Sequence, residues 1–298
     1  MTRLLLKSLR GVAIQRLDMS LDGGQHLLLG TEGDGTAELV ALLAGHQRPR
    51  KGSIELSGTA PYRSPALRRR IGSLLNQESL VPAPNTRSAL NMLGQAAAAI
   101  SELEAMGLSS VINGPVETLS PAALRAVVLA RALTLPDPVG LFLYEPFQTA
   151  LPSDWVVARL AEARARSIVT VIASSNVELA SWIDGSLMVM EQGAVVARYA
   201  DSTEYREAVG QAVLMVRSPQ SRWLAHALTT ADGVSAVQWD HVAAPNQLII
   251  SGANAEQLVS ELLRVSRAPE VQLESYRLLH SPGEQPYSVA MTATGVSP

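Results

Sequence analysis

Residues 30–39, GTEGDGTAEL, could hold phosphate, because their spacing is close to that of a phosphate-binding loop. They follow the apolar run HLLL and precede the apolar, helix-like VALLAG. A phosphate loop has the pattern G-x-x-x-x-G-K-[ST]: backbone N–H groups converge on phosphate oxygens, the Lys reaches the β- and γ-phosphates, and the hydroxyl holds Mg²⁺. The glycines that fit this spacing are Gly30, Gly33 and Gly35. Thr36 replaces the Lys and Ala37 replaces the hydroxyl, so the pattern predicts the shape of the loop without its cation or metal ligand.

The same loop is acidic. It contains Glu32, Asp34 and Glu38 and no basic residue, and Glu38 stands beside the expected metal position. A carboxylate about 4 Å from a phosphate oxygen costs roughly 1 kcal/mol in water and about 4 kcal/mol at an effective dielectric of 20. We therefore expect the loop to repel a triphosphate.

The composition is that of an ordinary globular protein. Of the 298 residues, 47% are apolar, and the formal charge of −3 makes nucleic acid an unexpected partner. The absence of cysteine excludes disulfides, cysteine-ligated metal and thiol catalysis. No apolar run reaches the roughly 18 residues of a membrane span, and MTRLLLKSLRGVAIQRLDMS is interrupted by charge too early for a secretory signal. We expect a cytoplasmic protein without a bound metal.

Strand and helix patterns alternate through residues 1–203. Continuous apolar runs such as GLFLY and IVTVIAS are typical of strands that are buried on both faces, and ALRAVVLARALTL and WVVARLAEARARS are typical of helices. The Ala-rich span Thr86–Met106 also reads as helical. This organisation predicts an α/β domain with a mostly parallel, covered sheet.

The pattern changes near residue 204. Residues 204–280 read as strand, helix, strand, strand, helix, strand, which is the ferredoxin-like β-α-β-β-α-β order of a small α+β domain. The helical stripe Leu258, Leu262 and Leu263 is expected to face the core of that domain. The tail 281–298 contains Pro, Gly and Ser and is expected to be loose.

Read in order, the landmarks of residues 1 to about 200 resemble the ATP-binding subunit of ABC transporters, an ABC-type nucleotide-binding domain of the P-loop NTPase class. After the glycine loop, NQESLVP places Gln77 where the family has its Q-loop glutamine. LSPAALRAVVLARAL (119–133) is similar to the LSGGQ signature and its helix, and GLFLYEPF (140–147) is similar to the Walker B strand ending in D-E-P. VIASSN (171–176) falls where the switch histidine belongs.

The resemblance also shows which groups are missing. Tyr144 replaces the Walker B Asp that orients Mg²⁺, Ser175 replaces the switch His, and Leu9 stands where an adenine-stacking aromatic is expected. Pro121, Ala122 and Ala123 replace the G-G-Q of the signature, and Pro152 replaces the D-loop Asp. Glu145 remains at the place of the catalytic base, but a base without lysine, metal or γ-phosphate has nothing to activate. We therefore expect no catalytic residues, weak or absent ATP and Mg²⁺ binding, and a pseudo-ATPase.

The resemblance further implies partners. In this family two nucleotide domains face each other on membrane subunits, so the chain is expected to pair with an active ATPase and a permease, and to reach the cytoplasmic face of the membrane only through that permease. The expected contact surface runs from Gln77 to Leu93. The residues expected at partner interfaces are Gln77, Glu78, Ser120, Pro121 and Pro152. The segment LESYRLL resembles the appended domain of drug-resistance and gliding-motility ABC exporters.

Simpler interpretations exist for each feature. The glycine loop can be a tight turn, Gln77 a solvated loop residue, Glu145 a strand cap, and Tyr144 a core residue. The basic run Arg68–Arg70 can be a solvated face, or it can supply a borrowed cation to a divergent, active ATPase. A soluble regulatory scaffold without a transporter is the third possibility.

Overall fold

The computed structural model describes residues 2–94, 96–209, 212–239, 245–267 and 271–280. The chain divides into two compact units, Met1–Ser202 and Thr203–Pro298. The division falls one residue before the boundary predicted from the sequence. The predicted loose tail, 281–298, lies outside the described residues.

The first unit contains a three-stranded antiparallel sheet in the order β2-β1-β4. Its strands are β1 (Arg3–Arg10), β2 (Leu17–Asp22) and β4 (Lys51–Leu56). Apolar side chains on alternate positions, such as Leu4 and Leu6 of β1, are buried, as expected for a sheet with one solvated face.

The main sheet has six strands in the order β5-β6-β7-β3-β8-β9. The strands are β3 (Gly24–Leu29), β5 (Ile71–Leu74), β6 (Gly140–Tyr144), β7 (Val169–Ser174), β8 (Ser186–Glu191) and β9 (Ala194–Tyr199). All neighbouring pairs are parallel except β8 with β9. Every residue of β6 and β7 is buried, which is why their sequences are continuously apolar. The predicted mostly parallel α/β sheet is confirmed.

The described residues of the first unit up to position 165 form seven α-helices. They are α1 (Thr36–Leu43), α2 (Pro65–Arg68), α3 (Thr86–Leu93), α4 (Ala97–Ala105), α5 (Ser109–Asn113), α6 (Pro121–Leu133) and α7 (Ser153–Ala165). One apolar cluster joins residues of the antiparallel sheet, α1 and the main sheet, so α1 is held by packing on several sides. This burial fixes the position of the glycine loop that precedes it.

The helical span Thr86–Met106 is interrupted, which the sequence pattern did not predict. Helix α3 ends at Leu93, and Gly94 follows with φ +72°. Glycine adopts this left-handed conformation at little cost, so it commonly ends a helix. A separate helix, α4, begins at Ala97.

A short helix, α8 (Ser202–Val209), begins at the last residue of the first unit, and the described elements after it follow the order β-α-β-β-α-β. The elements are β10 (Ala212–Arg217), α9 (Ser221–Thr229), β11 (Ala236–Gln238), β12 (Gln247–Gly252), α10 (Ala255–Val265) and β13 (Ser275–His280). The antiparallel sheet order is β11-β12-β10-β13. Leu258 and Leu262 of α10 are fully buried, as expected, but Leu263 is 42% exposed because it points away from the sheet side of the helix.

Within the described ranges, the longest and most apolar helices fall short of what is needed to cross a bilayer.

Candidate functional site

The glycine loop connects the central strand β3 to α1 and forms a 3-10 turn at Glu32–Asp34. Gly35 has φ +88°, and a Cβ there would lie 3.3 Å from Ala13 Cβ. A Cβ at Gly30 would lie 2.7 Å from the carbonyl oxygen of Met190. Both glycines are therefore required by the backbone itself, whether or not a ligand binds. Gly33 lies in open space, with only the Thr31 hydroxyl at 3.7 Å from its hypothetical Cβ.

Thr36, at the lysine position, turns into the loop. Its side chain is fully buried, and its hydroxyl donates to the carbonyl of Thr31 at 2.8 Å. The N–H groups of Asp34 and Gly35 donate to the carbonyls of Thr31 and Glu32, each at 3.1 Å. The donors that a phosphate loop directs at its ligand are here partly used within the loop. Ala37, at the metal-hydroxyl position, offers no polar side-chain atom.

Two loop carboxylates bind neighbouring segments. Asp34 accepts from the Thr31 N–H at 2.8 Å and hydroxyl at 2.6 Å, and its other oxygen accepts from the Gln192 N–H at 3.0 Å, in the turn between β8 and β9. Glu32 accepts from the Asn76 side-chain amide at 2.6 Å, in the segment after β5. The acidic residues therefore hold the loop to two other parts of the unit.

Glu38 makes a denser contact than either of these. Its carboxylate accepts from the backbone N–H groups of Val12 at 2.5 Å, Ala13 at 2.7 Å and Ile14 at 3.2 Å. A Cβ at Gly11 would lie 2.4 Å from one Glu38 oxygen, so only glycine permits this approach. The sequence predicted Glu38 near the metal position, whereas the structure turns its carboxylate onto the segment between β1 and β2.

A cavity of about 540 Å³ lies over the loop, in the size range of small-molecule sites. Gln77 also lines this cavity, so the structure brings the glycine loop and the glutamine predicted for the Q-loop to one site. Among the described residues that line it, none is Lys or Arg; they are Val12, Ala13, Glu32, Gly35, Ala37, Glu38, Ala41, Gln47, Leu75, Asn76 and Gln77.

Tyr144 and Glu145 follow each other at the end of β6. Tyr144 belongs to the apolar core and is 8% exposed. Burial raises the pKa of its hydroxyl, and the nearby carboxylates of Glu145 and Glu32 add to the rise. The phenol is therefore neutral at ordinary pH and provides no anionic ligand for a metal ion. Its position matches the core interpretation given above.

Glu145 is 6% exposed, and its carboxylate accepts hydrogen bonds from the last residue of β7 and from the residue that follows it. Ser174 donates its hydroxyl at 2.5 Å, and Ser175 donates its N–H at 2.7 Å and its hydroxyl at 2.8 Å. Ser175, at the switch-histidine position, is thus a direct partner of Glu145. The backbone of Glu145 has φ +47°, which is strained for a residue other than glycine. The contacts indicate a buried brace between two strand ends.

Arg125 of α6 was missed by sequence reasoning. Its guanidinium donates to the carbonyls of Leu75 at 2.7 Å, Tyr144 at 2.5 Å and Glu145 at 3.0 Å. Burial lowers its pKa, while the charge of Glu78 and that of Glu145 oppose this. The residue clamps the ends of β5 and β6 to α6. No local pattern signals this role, since the carbonyls come from residues 19 to 50 positions away.

Gln77 and Glu78, predicted together at a partner interface, differ in exposure. Gln77 is exposed, but Glu78 is half-buried and accepts a hydrogen bond from the Leu75 N–H. Burial raises the pKa of Glu78 to about 6, against the opposing effects of that N–H and of Arg125. Glu78 therefore folds back onto its own loop, although its side chain still lines a second cavity.

This second cavity has a volume of about 390 Å³. Leu93 at the end of α3, which is 40% exposed, lines it, and the preceding residue, Met92, is 68% exposed. Its lining residues are His46, Pro65, Arg68, Arg69, Ile71, Ser73, Glu78, Ser79, Leu80, Leu93, Val128 and Arg131.

The Arg68–Arg70 run does not line the cavity over the loop. Arg68 donates to the carbonyls of Pro61 and Tyr62, each at 3.1 Å. Arg70 forms an ion pair with Asp137 at 2.6 Å. Arg68 and Arg69 line the second cavity instead. The borrowed cation considered above is therefore not delivered by this run in the described structure.

The remaining predicted interface residues begin helices. Ser120 is exposed and caps α6, accepting from the Ala123 N–H at 3.2 Å, and the exposed Pro121 is its first residue. Pro152 is exposed and directly precedes α7. Proline suits these positions because the first helical N–H groups need no intrahelical partner. In the part of the chain that the structure describes, no group of three or more His, Asp or Glu side chains is placed to hold a metal ion.

The sequence of the chain is similar to those of ABC transporter proteins. Residues 14–148 match the family described as ABC transporter. The ribose import ATP-binding protein of Burkholderia cenocepacia is 26% identical over 211 residues, covering 64% of this chain and 42% of that protein. The zinc import ATP-binding protein of Pseudomonas putida is 35% identical over 141 residues, covering 45% and 51%. The chain therefore spans only about half or less of the length of these relatives.

Another relative is covered more fully. The taurine import ATP-binding protein of Burkholderia pseudomallei is 28% identical over 221 residues, covering 69% of this chain and 84% of that protein.

Solved structures show the same fold at low identity. An ATP-binding subunit of an ABC transporter superposes with a TM-score of 0.56 at 19% identity, covering 66% of this chain and 89% of that chain. A dimeric bacterial ABC transporter cassette gives 0.55 at 17% identity, covering 67% and 98%. Residues 14–148 thus match the ABC transporter family model, and the unit Met1–Ser202 has the α/β fold of the ATP-binding subunits of ABC transporters.

Proposed function

We propose that the chain is a non-hydrolysing subunit of an ABC transporter complex, which assembles with an active ATPase and a membrane permease. One observation carries the proposal. The position that needs a phosphate-binding lysine holds Thr36, whose hydroxyl is bonded inside the loop, and the neighbouring Glu38 carboxylate points at the protein's own backbone. The cradle is thus supported by internal contacts.

The residues present do not fit magnesium–ATP. Phosphoryl transfer depends on cations that neutralise the phosphates and on a metal ion held by the protein. The described lining of the loop cavity offers two carboxylates, Glu32 and Glu38, and no basic side chain. Tyr144 is packed in the core, and the Glu145 carboxylate already accepts three hydrogen bonds. These contacts support a structural role for the motif positions.

The similarity to ATP-binding proteins of ABC transporters supports the proposed partners. The relatives are named as import ATP-binding proteins, and one neighbouring structure is titled as part of an ABC transporter complex. In this chain, the second cavity is lined in part by Leu93, and the exposed Met92 precedes that residue; we call the cavity and these two side chains a groove, and it lies on the predicted permease side. We assign this groove to a cytoplasmic helix of the permease, which places the chain at the cytoplasmic face of the membrane.

The exporter type is also part of the proposal. Its support is the segment LESYRLL in the second unit, together with the β-α-β-β-α-β order of that unit. The import functions printed for the curated relatives belong to those proteins.

Thermal unfolding with and without magnesium–ATP tests the loss of nucleotide binding. A ligand at 100 times its dissociation constant stabilises a protein by about 2.7 kcal/mol, so a binding site in use produces a clear upward shift of Tm. We expect no shift. A nucleotide-dependent rise in Tm would favour the divergent ATPase that borrows a cation from another subunit.

Affinity purification from solubilised membranes tests the partners. We expect an intact ABC ATPase and a multispan permease to co-purify with the tagged chain. Changing Met92 and Leu93 to Ser should prevent the permease from co-purifying. Val196→Ser is the control, because Val196 is also an apolar residue that is exposed (55%) but lies on β9, and this variant should retain the permease. Recovery without any membrane protein would favour the soluble scaffold.

A further inference from the structure

The segment Gly11–Ile14 forms a nest of backbone N–H groups that the Glu38 carboxylate fills. The N–H groups of Val12, Ala13 and Ile14 converge on the two oxygens of this one side chain, at 2.5, 2.7 and 3.2 Å. Converging backbone N–H groups are the usual way in which a loop binds phosphate or another anion. Glu38 and the first two residues of the segment also line the cavity over the glycine loop.

We propose that Glu38 is a built-in anion that occupies this nest and keeps free phosphate-containing ligands out of it. The inference rests on the proposed function, since it explains how the same site remains stable without nucleotide. The contact joins α1 to the segment that connects β1 and β2. It therefore occupies the three N–H groups from within the chain, while the cavity beside them stays open.

The surrounding residues support a built contact. Glycine at position 11 leaves room for the carboxylate at this distance, because a Cβ there would lie 2.4 to 2.6 Å from its atoms and the carboxylate would have to move away. The segment is held on its other side, where the Gln15 N–H donates to the Gly193 carbonyl at 3.0 Å. Within the segment, the Gly11 N–H donates to the Ile14 carbonyl at 3.0 Å, so two hydrogen bonds that do not involve Glu38 hold the nest.

The test is the affinity for inorganic phosphate, measured by calorimetry on the full chain and its variants. Glu38→Ala empties the nest and should bind phosphate at least about tenfold more tightly than the wild type, a difference of about 1.4 kcal/mol. Glu32→Ala is the matched control, because it removes one negative charge from the same cavity but leaves the nest filled. It should bind phosphate no better than the wild type.

Two results would overturn the proposal. Equal gains in Glu38→Ala and Glu32→Ala would mean that charge relief alone governs the cavity, and no gain in Glu38→Ala would mean that the three N–H groups do not form an anion site. The proposed function is tested by a different experiment, titration of the wild type with magnesium–ATP. Binding of magnesium–ATP would contradict the proposed function, whatever the phosphate affinities of the two variants are.

A double-mutant cycle gives a second readout that does not depend on phosphate. Gly11→Ala should lower Tm in the wild type, since the new Cβ displaces the carboxylate. The same change should have no effect in Glu38→Ala, where that carboxylate is gone. Additive losses of Tm would show that the two residues are not coupled and would contradict the proposed contact.

Discussion

Replacing Glu145 by Ala removes a carboxylate that the structure uses as a brace between β6 and β7. The side chain is 6% exposed and accepts hydrogen bonds from Ser174 and Ser175. A hydrogen bond to a charged group contributes about 1.5–3 kcal/mol, and a buried donor left without a partner costs about 1–3 kcal/mol. The two serine hydroxyls can rotate to other acceptors, but the Ser175 N–H cannot. We therefore expect a loss of about 3 kcal/mol.

The backbone strain at Glu145 refines this expectation. With φ +47°, a residue that carries a Cβ costs roughly 1–2 kcal/mol relative to glycine. Glu145→Gly should therefore be about 1 kcal/mol more stable than Glu145→Ala, which reverses the usual order of these two residues. Glu145→Gln keeps one acceptor oxygen and should lose only about 1 kcal/mol.

Thermal unfolding followed by circular dichroism measures these differences. In a domain of 150–250 residues, 1 kcal/mol shifts Tm by about 2–4 °C, so Glu145→Ala should lower Tm by about 6–12 °C. Glu117→Ala provides the control, because Glu117 is exposed on a 3-10 turn. Its Tm should stay within about 2 °C of the wild type, as is usual for a surface substitution.

A stability change below about 0.5 kcal/mol in Glu145→Ala would refute the reasoning, since surface changes commonly reach that size. ATP hydrolysis by the assembled complex tests the alternative, that Glu145 is catalytic. If Glu145→Gln abolished ATP hydrolysis by the complex without a change in Tm, the carboxylate would be a catalytic base.

Three other substitutions test separate parts of the account. Thr36→Lys alone should not produce ATP hydrolysis in a phosphate-release assay, because Tyr144 still occupies the place of a metal ligand; measurable turnover would contradict this. The pKa of Glu78 is raised from 4.5 to about 6 in the folded state, so this residue lowers the free energy of unfolding as pH rises through that interval. Glu78→Gln should therefore stabilise the protein by about 1–2 kcal/mol above pH 6. If denaturation measured across this pH range is the same in the variant and the wild type, the expectation is wrong. Arg125→Met should cost about 3 kcal/mol in guanidinium unfolding because it leaves strand-end carbonyls unpaired, whereas Arg70→Met, at an exposed ion pair, should cost less than about 1 kcal/mol. Equal losses in these two arginine variants would show that the clamp does not stabilise the fold.

The strands and the loop could be predicted because their signals are local. The continuous apolar runs GLFLY and IVTVIAS are buried on both faces, and the position of Gly35 between an apolar strand and an apolar helix fixed the loop. The break after Leu93 was missed because the Ala-rich sequence favours helix, and the positive φ of Gly94, which ends α3, is not visible in the apolar pattern.

The partners of the motif residues could not be predicted from spacing. Glu38 contacts N–H groups 24 to 26 positions earlier, and such backbone donors leave no trace in side-chain patterns. Sequence reasoning gave Glu38 a repulsive role towards phosphate but did not identify what it binds. Glu145 and Ser175 were each compared with the family motif, yet their contact depends on the register of β6 beside β7.

The most direct test of the central claim is calorimetric titration of the purified chain with magnesium–ATP. The internal contacts of Thr36 and Glu38 predict no saturable binding, that is, a dissociation constant weaker than about 1 mM. A saturable, magnesium-dependent heat with a dissociation constant near about 1 μM would contradict the account, because it would require cation and metal ligands that the loop is argued to lack.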